Sequence, residues 1–369
     1  MVTELKRKVW DVKRCSGCGM CVSTCAKNVI FFPEGSDQPA LKITEKNIGL
    51  SHVVVDTCFF CEKPCEESCP RLKEWRNGPE IRTISIVSKL PDGNVVNALL
   101  LSALKRGLID GAVLWDVERD SFKPSARVAT SEDEILESAG YQHLWFPVLT
   151  ALNDAIYEKG LRSIAIVGPP CVAQAVRAVL SSTSKKLKMY RERIRLTIGL
   201  FCDGAYSYQL VTNEIVNRFN IEPYDISTMR VDLRDALLKI ILRNGSEKTI
   251  PLSEVRRYMR DGCARCTDLT SEWADLSVGD LGSEKGKITV IVRTPVGEKC
   301  LNYAIREGLI EIAKTPVNTE EIRRFVLNKK RRKRVQEIDS LLLSILDAML
   351  GVKGKGEVEE KLKSVWRWI

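Results

Sequence analysis

The sequence predicts an α/β (α+β) protein in three parts: a cysteine-rich unit over residues 1–79, an α/β unit over 80–317 and a helical, basic tail over 318–369. Three observations predict this. A length of 369 residues suggests two or three domains. The 13 cysteines fall unevenly, with eight in 15–69, four between 171 and 266, and one at Cys300. From Glu80 onward, apolar runs alternate with helical stretches, the rhythm of a sheet with parallel strands.

Composition narrows the classes. Hydrophobic residues at 44% and charged residues at 28% describe a globular chain able to bury a core, which excludes disorder as the main theme. No run approaches the ~18 apolar residues of a membrane span. The nearest, 341–352, is short and interrupted by Asp347. The first ten residues are basic but lack the apolar core of a secretory signal. A cytoplasmic, reducing setting is therefore expected, in which clustered cysteines bind metal rather than pair. Two histidines leave little for a Ser-His-Asp or multi-histidine zinc mechanism. The net charge is +9, and the tail 318–369 holds 13 Lys and Arg against 8 Asp and Glu. Its run Lys329-Lys330-Arg331-Arg332-Lys333-Arg334, like the stretch 185–195, reads as a solvated helix face or a dock for an acidic partner subunit. No nucleic-acid motif accompanies either, so nucleic acid is not an expected partner. The apolar segment 341–350 after the run favours docking of a protein.

Along the α/β unit, 81–87 reads as a strand and 95–106 as a helix. Residues 112–115 form a buried strand after the breakers Gly107 and Gly111. Ser131 caps a short acidic helix over 132–139. Residues 164–167 are a strand, Gly168-Pro169-Pro170 opens a helix through Leu180, 194–200 is a strand, and 208–219 is a helix. Asn244-Gly245 between 237–243 and 246–252 predicts a hairpin with a type I′ turn. Residues 276–278 and 287–293 are further strands. Cys300 starts a helix as a buried structural thiol.

The cysteine spacing carries the chemistry. Cys15-x2-Cys18-x2-Cys21-x3-Cys25 has the spacing of bacterial ferredoxins, and Cys58-x2-Cys61-x3-Cys65-x3-Cys69-Pro70 is a second run, one residue wider. A cubane needs four thiolates from all sides. Three come from one tight loop, which Gly17 and Gly19 allow to wrap, and the fourth cysteine of each run reaches the other cluster. Cys15, Cys18, Cys21 and Cys69 are thus assigned to one 4Fe-4S cluster, and Cys58, Cys61, Cys65 and Cys25 to another. Tetrahedral zinc is the alternative, but it does not need three close cysteines plus a distant fourth, twice. Cys171, Cys202, Cys263 and Cys266 each lie at the carboxyl end of a predicted strand or in a loop, where an α/β sheet gathers its functional groups. They suit a third cluster, a zinc site or reactive thiols. Cys171 begins a helix, where the dipole would lower its thiol pKa.

Several longer motifs then coincide: Gly107-Leu-Ile-Asp-Gly-Ala-Val, Gly168-Pro-Pro-Cys171, Gly199-Leu-Phe-Cys202 and Gly262-Cys-Ala-Arg-Cys266-Thr-Asp268. Ala274-Asp-Leu-Ser-Val-Gly-Asp-Leu-Gly-Ser283 and Thr289-Val-Ile-Val-Arg-Thr294 continue the series. In this order, over roughly 84–315, they resemble the beta subunits of the coenzyme F420 hydrogenase, F420H2 dehydrogenase and formate dehydrogenase family. The resemblance implies a flavoprotein unit carrying FAD and a 4Fe-4S cluster ligated by Cys171, Cys202, Cys263 and Cys266, hence three clusters in all. It implies electron exchange between reduced F420 and iron–sulfur partner subunits, of hydrogenase, heterodisulfide reductase or dehydrogenase type, with peripheral membrane association only through a partner.

The family's loop opening its first long helix reads here Asp92-Gly93-Asn94-Val95-Val96-Asn97, and implies flavin contacts from Asp92, Gly93, Asn94 and Asn97. Gly279, Gly282 and Ser283 after a strand suit close approach to a cofactor, although an ordinary turn explains them as well. Arg293, with Thr294, sits at a strand end where it can pair with a phosphate or a surface carboxylate. A Gly-Ser-Lys-Tyr-like motif is replaced by Gly140-Tyr141-Gln142-His143, losing a lysine that could face an anionic coenzyme. No Gly-x-Gly-x-x-Gly follows any strand, so a Rossmann NAD(H) site is not expected. The expected function is an FAD-dependent iron–sulfur oxidoreductase subunit. The rivals are an electron-transfer and docking subunit without F420 activity, and a relative acting on another small molecule.

Overall fold

The computed structural model describes residues 3–333 except 43, 49, 50, 56, 57, 59, 60, 76, 92 and 139. Asp92 and the apolar tail segment 341–350 therefore lie outside the described residues.

An eight-stranded sheet organises the large unit. In chain order its strands are β1 (Arg82–Ser88), β2 (Gly111–Val117), β3 (Pro124–Ala129), β4 (Ile164–Gly168) and β5 (Ile194–Leu200). A separate three-stranded antiparallel sheet follows, of β6 (Ile226–Asp232), β7 (Leu237–Leu242) and β8 (Glu247–Pro251), before β9 (Leu276–Gly279), β10 (Ile288–Val292) and β11 (Ile310–Ile312) complete the main one. The main order is β11-β1-β10-β9-β5-β4-β2-β3. Only the four central strands β9, β5, β4 and β2 run parallel. The outer strands pair antiparallel. The sheet is thus mixed, where the strand–helix rhythm predicted parallel strands, because the edge strands return directly or from the far end of the chain.

The central strands are rich in apolar residues, and β4 is a continuous apolar run, because both faces are covered. In β4, Ile164 and Ile166 enter one core while Ala165 and Val167 enter the other. Two helices, α1 (Val95–Lys105) and α3 (Pro295–Arg306), cover the first face. Asn94 caps α1, its Oδ1 accepting from the N–H groups of Val96 (2.9 Å) and Asn97 (3.2 Å). Thr294 caps α3. That helix begins at Pro295, so Cys300 is wholly buried within it rather than at its start. The helix α2 (Pro170–Leu180) and the turns over 148–158 cover the second face. The acidic helix is shorter than expected, Glu132–Leu136, with Ser131 and Glu134 forming a capping box.

Residues 3–79 form a unit of short elements around the cysteine loops. The stretch that leaves it is pinned to the large unit: Trp75 packs against Trp273 with ring centroids 5.1 Å apart, and the Gly78 N–H donates to Glu272 Oε2 at 3.2 Å. At the other end a helix over 319–333 folds back on the large unit, burying Ile322 with Leu269 and Leu281.

Leu99 is fully buried on α1. Leu99→Ala is expected to cost about 2–5 kcal/mol through lost burial and the cavity left behind. Chemical denaturation followed by tryptophan fluorescence checks this.

Candidate metal centres and cofactor cleft

The cysteines other than Cys300 gather into three sets, buried or half-buried. Cys15, Cys18, Cys21 and Cys69 line a cavity of about 310 Å³ with Leu5, Val9, Trp10 and Phe32. Gly17 (φ 67°) and Gly19 (φ 90°) hold this loop in the left-handed region, which glycine occupies without strain. The turn lets the Gly17 N–H donate to Cys15 Sγ at 3.3 Å. Burial pushes Cys18 up to about 11 and Cys69 to about 12. Cys65, raised to about 12 by burial, has Cys25, Glu66, Cys61 and Cys58 as its charged neighbours. The fourth cysteine of each run therefore sits with the other run's first three.

Cys171, Cys202, Cys263 and Cys266 line a third cavity, of about 430 Å³. Cys171 follows β4 at the start of α2, Cys202 follows β5, and Cys263 and Cys266 precede β9. Two chain segments thus leave the carboxyl ends of the adjacent parallel strands β4 and β5, and the segment carrying Cys263 and Cys266 joins them there, the Cys202 N–H donating to the Leu269 carbonyl. The helix start does not lower Cys171 as expected. Burial, with Cys18, Cys263 and Cys202 nearby, pushes its thiol well up. Burial would raise Cys266 too, but Lys329 and Arg71 outweigh it and hold that thiol below its ordinary value. Among the described residues no three Cys, His, Asp or Glu side chains draw together around a single ion.

The basic run contributes here rather than at the surface. Lys329 is 3% exposed, and its Nζ donates to the carbonyls of Cys202 (2.5 Å) and Asp268 (2.7 Å). Arg332 donates to Asp203 Oδ2 (2.8 Å) and to the Asp203 carbonyl (2.7 Å). The solvated-face reading of this run fails at these two positions.

A cleft with about 1340 Å³ of empty space opens beside the third cavity. Gly93, Asn94, Asn97 and Gly279 line it, with the start of α1 at one side. Tyr141, His143, Arg230, Asp203 and Asp280 also line it. The other predicted cofactor residues are placed elsewhere. Gly282 packs on Val317 and Ile322, and its N–H donates to Glu321 Oε2 at 2.9 Å. Ser283 hydrogen-bonds Thr289 at 2.7 Å. Arg293 is buried, its guanidinium donating to Ser277 Oγ, the Pro79 carbonyl and Thr270. Thr294 Oγ1 donates to Asp275 Oδ1 at 2.6 Å. Arg293 is therefore no surface partner: oxygens of the protein itself take up its guanidinium. Gln142, where the related motif has lysine, is buried, its Oε1 accepting from the Met229 N–H (2.7 Å) and Thr228 Oγ1 (2.9 Å).

The spaces share walls. Trp115 and Cys202 line both the cleft and the third cavity, and Ser16 and Arg71 line both the third cavity and that of Cys15. Cys21 in turn is close enough to Cys65 for their charges to interact. Tyr141 Oη lies 3.4 Å from Cys202 Sγ and packs edge-on against Trp115. Four buried polar atoms on the walls of these spaces have no hydrogen-bond partner: Trp10 Nε1, Arg71 Nε, Trp115 Nε1 and His143 Nδ1. The arginine and tryptophan N–H groups suit a bound acceptor. Desolvation holds the His143 imidazole down at about 4, with Asp203 opposing. Sequence reasoning missed Arg71, Lys329, Trp115 and Arg230. Only the position of Arg71, directly after Cys69-Pro70, offered a signal.

The seam between the units is close. The Gly262 α-carbon leaves no room for a side chain, since a Cβ there would lie 1.9 Å from the Cys15 carbonyl oxygen. Arg260, 2% exposed, donates through Nε to Asp37 Oδ2 at 3.1 Å and through Nη2 to the Asp37 carbonyl, with its guanidinium 4.5 Å from the Trp145 ring centroid.

A row of buried and half-buried thiol sets ending at a cleft is the arrangement of an iron–sulfur electron-transfer protein on an α/β scaffold. The chain belongs to the coenzyme F420 hydrogenase/dehydrogenase beta subunit family: the family's N-terminal part matches residues 82–153 and its C-terminal part 161–318. A 4Fe-4S dicluster domain matches 14–72. The chain is 35% identical to an uncharacterized protein of Methanocaldococcus jannaschii, over 89% of this chain and 97% of the relative. It is 26% identical to a subunit of the F(420)H(2) dehydrogenase of Methanosarcina mazei, over 86% of this chain and 89% of that subunit. Among solved structures, a chain of the F420-reducing hydrogenase complex of Methanosarcina barkeri has the same fold, with a TM-score of 0.65 at 24% identity, over 70% of this chain and 92% of that one. Among the described residues no helix is long and apolar enough to cross a membrane.

Ending the chain after Pro316 removes Lys329 and the helix that covers the third cavity. If the third cavity holds a 4Fe-4S cluster, the truncated protein loses about four Fe per chain while the dicluster unit keeps its iron. Iron analysis after anaerobic purification checks this.

Proposed function

We propose that the chain is an FAD-dependent iron–sulfur subunit that passes electrons between a two-electron donor, reduced F420, and iron–sulfur partner subunits. The observation that carries this is the sequence of shared walls, from cleft to third cavity to the cavity of Cys15 and on to Cys65. On this reading Cys171, Cys202, Cys263 and Cys266 hold one 4Fe-4S cluster, Cys15, Cys18, Cys21 and Cys69 a second, and Cys25, Cys58, Cys61 and Cys65 a third. Thiols that line a cavity, rather than closing on one point, suit the corners of a cubane better than a single tetrahedral zinc ion. A flavin bound in the cleft supplies hydride exchange on one side and single-electron exchange on the other.

The chain's own residues then have defined work. Gly93 and Asn94 present backbone at the start of α1, where the helix dipole favours a phosphate. Trp115 and Tyr141 fill the wall between cleft and third cavity and keep water from it. Arg230, exposed at the cleft, offers a cation to an anionic coenzyme. The cofactors carry the redox chemistry, so no side-chain acid or base is needed.

A second reading keeps the clusters but not F420 activity. The structural use of Gln142, where the motif has lysine, favours it.

Anaerobically purified protein is expected to carry about twelve Fe and twelve sulfides per chain, together with FAD. About eight Fe with one Zn would remove the third cluster from the path. Cys171→Ser is expected to lose about four Fe and leave the flavin reducible by its donor. In stopped-flow experiments reduced F420 is expected to reduce the flavin faster than NADH or NADPH, because nothing builds a Rossmann pyrophosphate site. Faster reduction by NADH would overturn the donor assignment, and a flavin that none of the three reduces would favour the second reading.

A further inference from the structure

We propose that Arg71 is a charge-setting residue between two of the clusters: one buried guanidinium, in the wall shared by the cavity of Cys15, Cys18, Cys21 and Cys69 and that of Cys171, Cys202, Cys263 and Cys266, raises the reduction potential of both. The proposal rests on the cluster assignment above.

Three observations carry it. Arg71 lines both cavities, and Ser16 alone shares that position with it. Its Nε is buried without a partner, although buried donors are nearly always satisfied. The local chain also directs it outward. Arg71 lies in the short 3-10 turn Pro70–Leu72, where Leu72 packs on the core of its own unit and Trp75 Nε1 donates to the Pro70 carbonyl at 2.7 Å. The helix α2, which starts beside Cys171, packs against this turn. Arginine from one unit thus reaches thiols of the other. The charges of Cys266, Cys171 and Cys263 on one side, and of Cys15, Cys18 and Cys69 on the other, all interact with it.

The physical consequence follows from sign. A cluster becomes more negative when it gains an electron. A fixed buried cation stabilises that reduced form, and a low-dielectric site leaves the charge little screened. Net charge and hydrogen bonds to sulfur are among the factors that set cluster potentials. Lys329 provides the comparison, because it lines the third cavity alone.

The test is an EPR-monitored redox titration of the full-length holoprotein, with signals assigned from Cys65→Ser and Cys171→Ser proteins. Arg71→Gln should lower two midpoint potentials and leave that of the Cys25, Cys58, Cys61 and Cys65 cluster in place. Lys329→Met should lower one only. Arg71→Lys, which keeps the charge, should restore most of the Arg71→Gln shift, and added salt should not abolish it. A shift in one cluster, in all three equally or in none, with iron retained, overturns the proposal. If Arg71→Gln is short of iron, Arg71→Lys decides. Full iron with potentials near wild type upholds the charge role, and iron loss there too overturns it. Wild-type protein with fewer than three clusters defeats the proposed function itself, before any variant is read.

Discussion

Arg260 is the contact on which the arrangement of the two units depends. It comes from the large unit, yet it is buried against the small one, bonded to Asp37 and stacked on Trp145. Its Nη1 also approaches the Cys15 carbonyl, at 3.4 Å. A buried guanidinium is costly unless its donors are met, and here oxygens of the small unit, at Asp37 and Cys15, meet them while Trp145 of the large unit lies against the guanidinium. Just beyond it comes Gly262, whose small size lets the segment carrying Cys263 and Cys266 rest on the Cys15 loop. Moving the small unit would strand this charge and separate the thiol sets together.

The same balance recurs along the row of cavities. Groups of thiolates are anionic, and anions taken out of water need compensating charge. Lys329 and Arg71 supply it at the third cavity, from chain segments more than 250 residues apart in sequence. The set around Cys65 has Glu66 beside it instead. The electrostatic surroundings therefore differ from one end of the row to the other.

Much of this was legible in the sequence, for identifiable reasons. Closely spaced cysteines declare themselves by spacing, so the grouping of Cys25 with the second run and of Cys69 with the first needed no tertiary information. Strand β4 was legible because burial on both faces leaves an uninterrupted apolar run, and β5 because its apolar residues outnumber the interruptions at Arg195 and Thr197. Strand β3 was not, since it opens on proline and carries Arg127. The antiparallel edges were not legible either, because β11 pairs with a strand more than 200 residues earlier, which no local pattern encodes. Lys329 and Arg293 were misjudged for one reason. A cation in a basic run or at a strand end looks solvated until the fold brings carbonyls and hydroxyls around it. The cleft was half legible: Gly93, Asn94 and Gly279 reach it, while Gly282 and Ser283 serve the turn that receives the C-terminal helix.

The pinned connection between the units has a further meaning. Many electron carriers work as free shuttles or swing on a flexible linker, and their throughput depends on how often they meet their target. Here Trp75 lies on Trp273, and Gly78 is seated so closely on Glu272 that a Cβ would fall 1.8 Å from its carbonyl oxygen. A carrier held this way has no encounter step. On the proposed function, transfer within the chain is unimolecular and indifferent to dilution, and is set by the gap between neighbouring centres and by their potentials. A ferredoxin-like sequence has in this chain become a fixed conductor rather than a messenger.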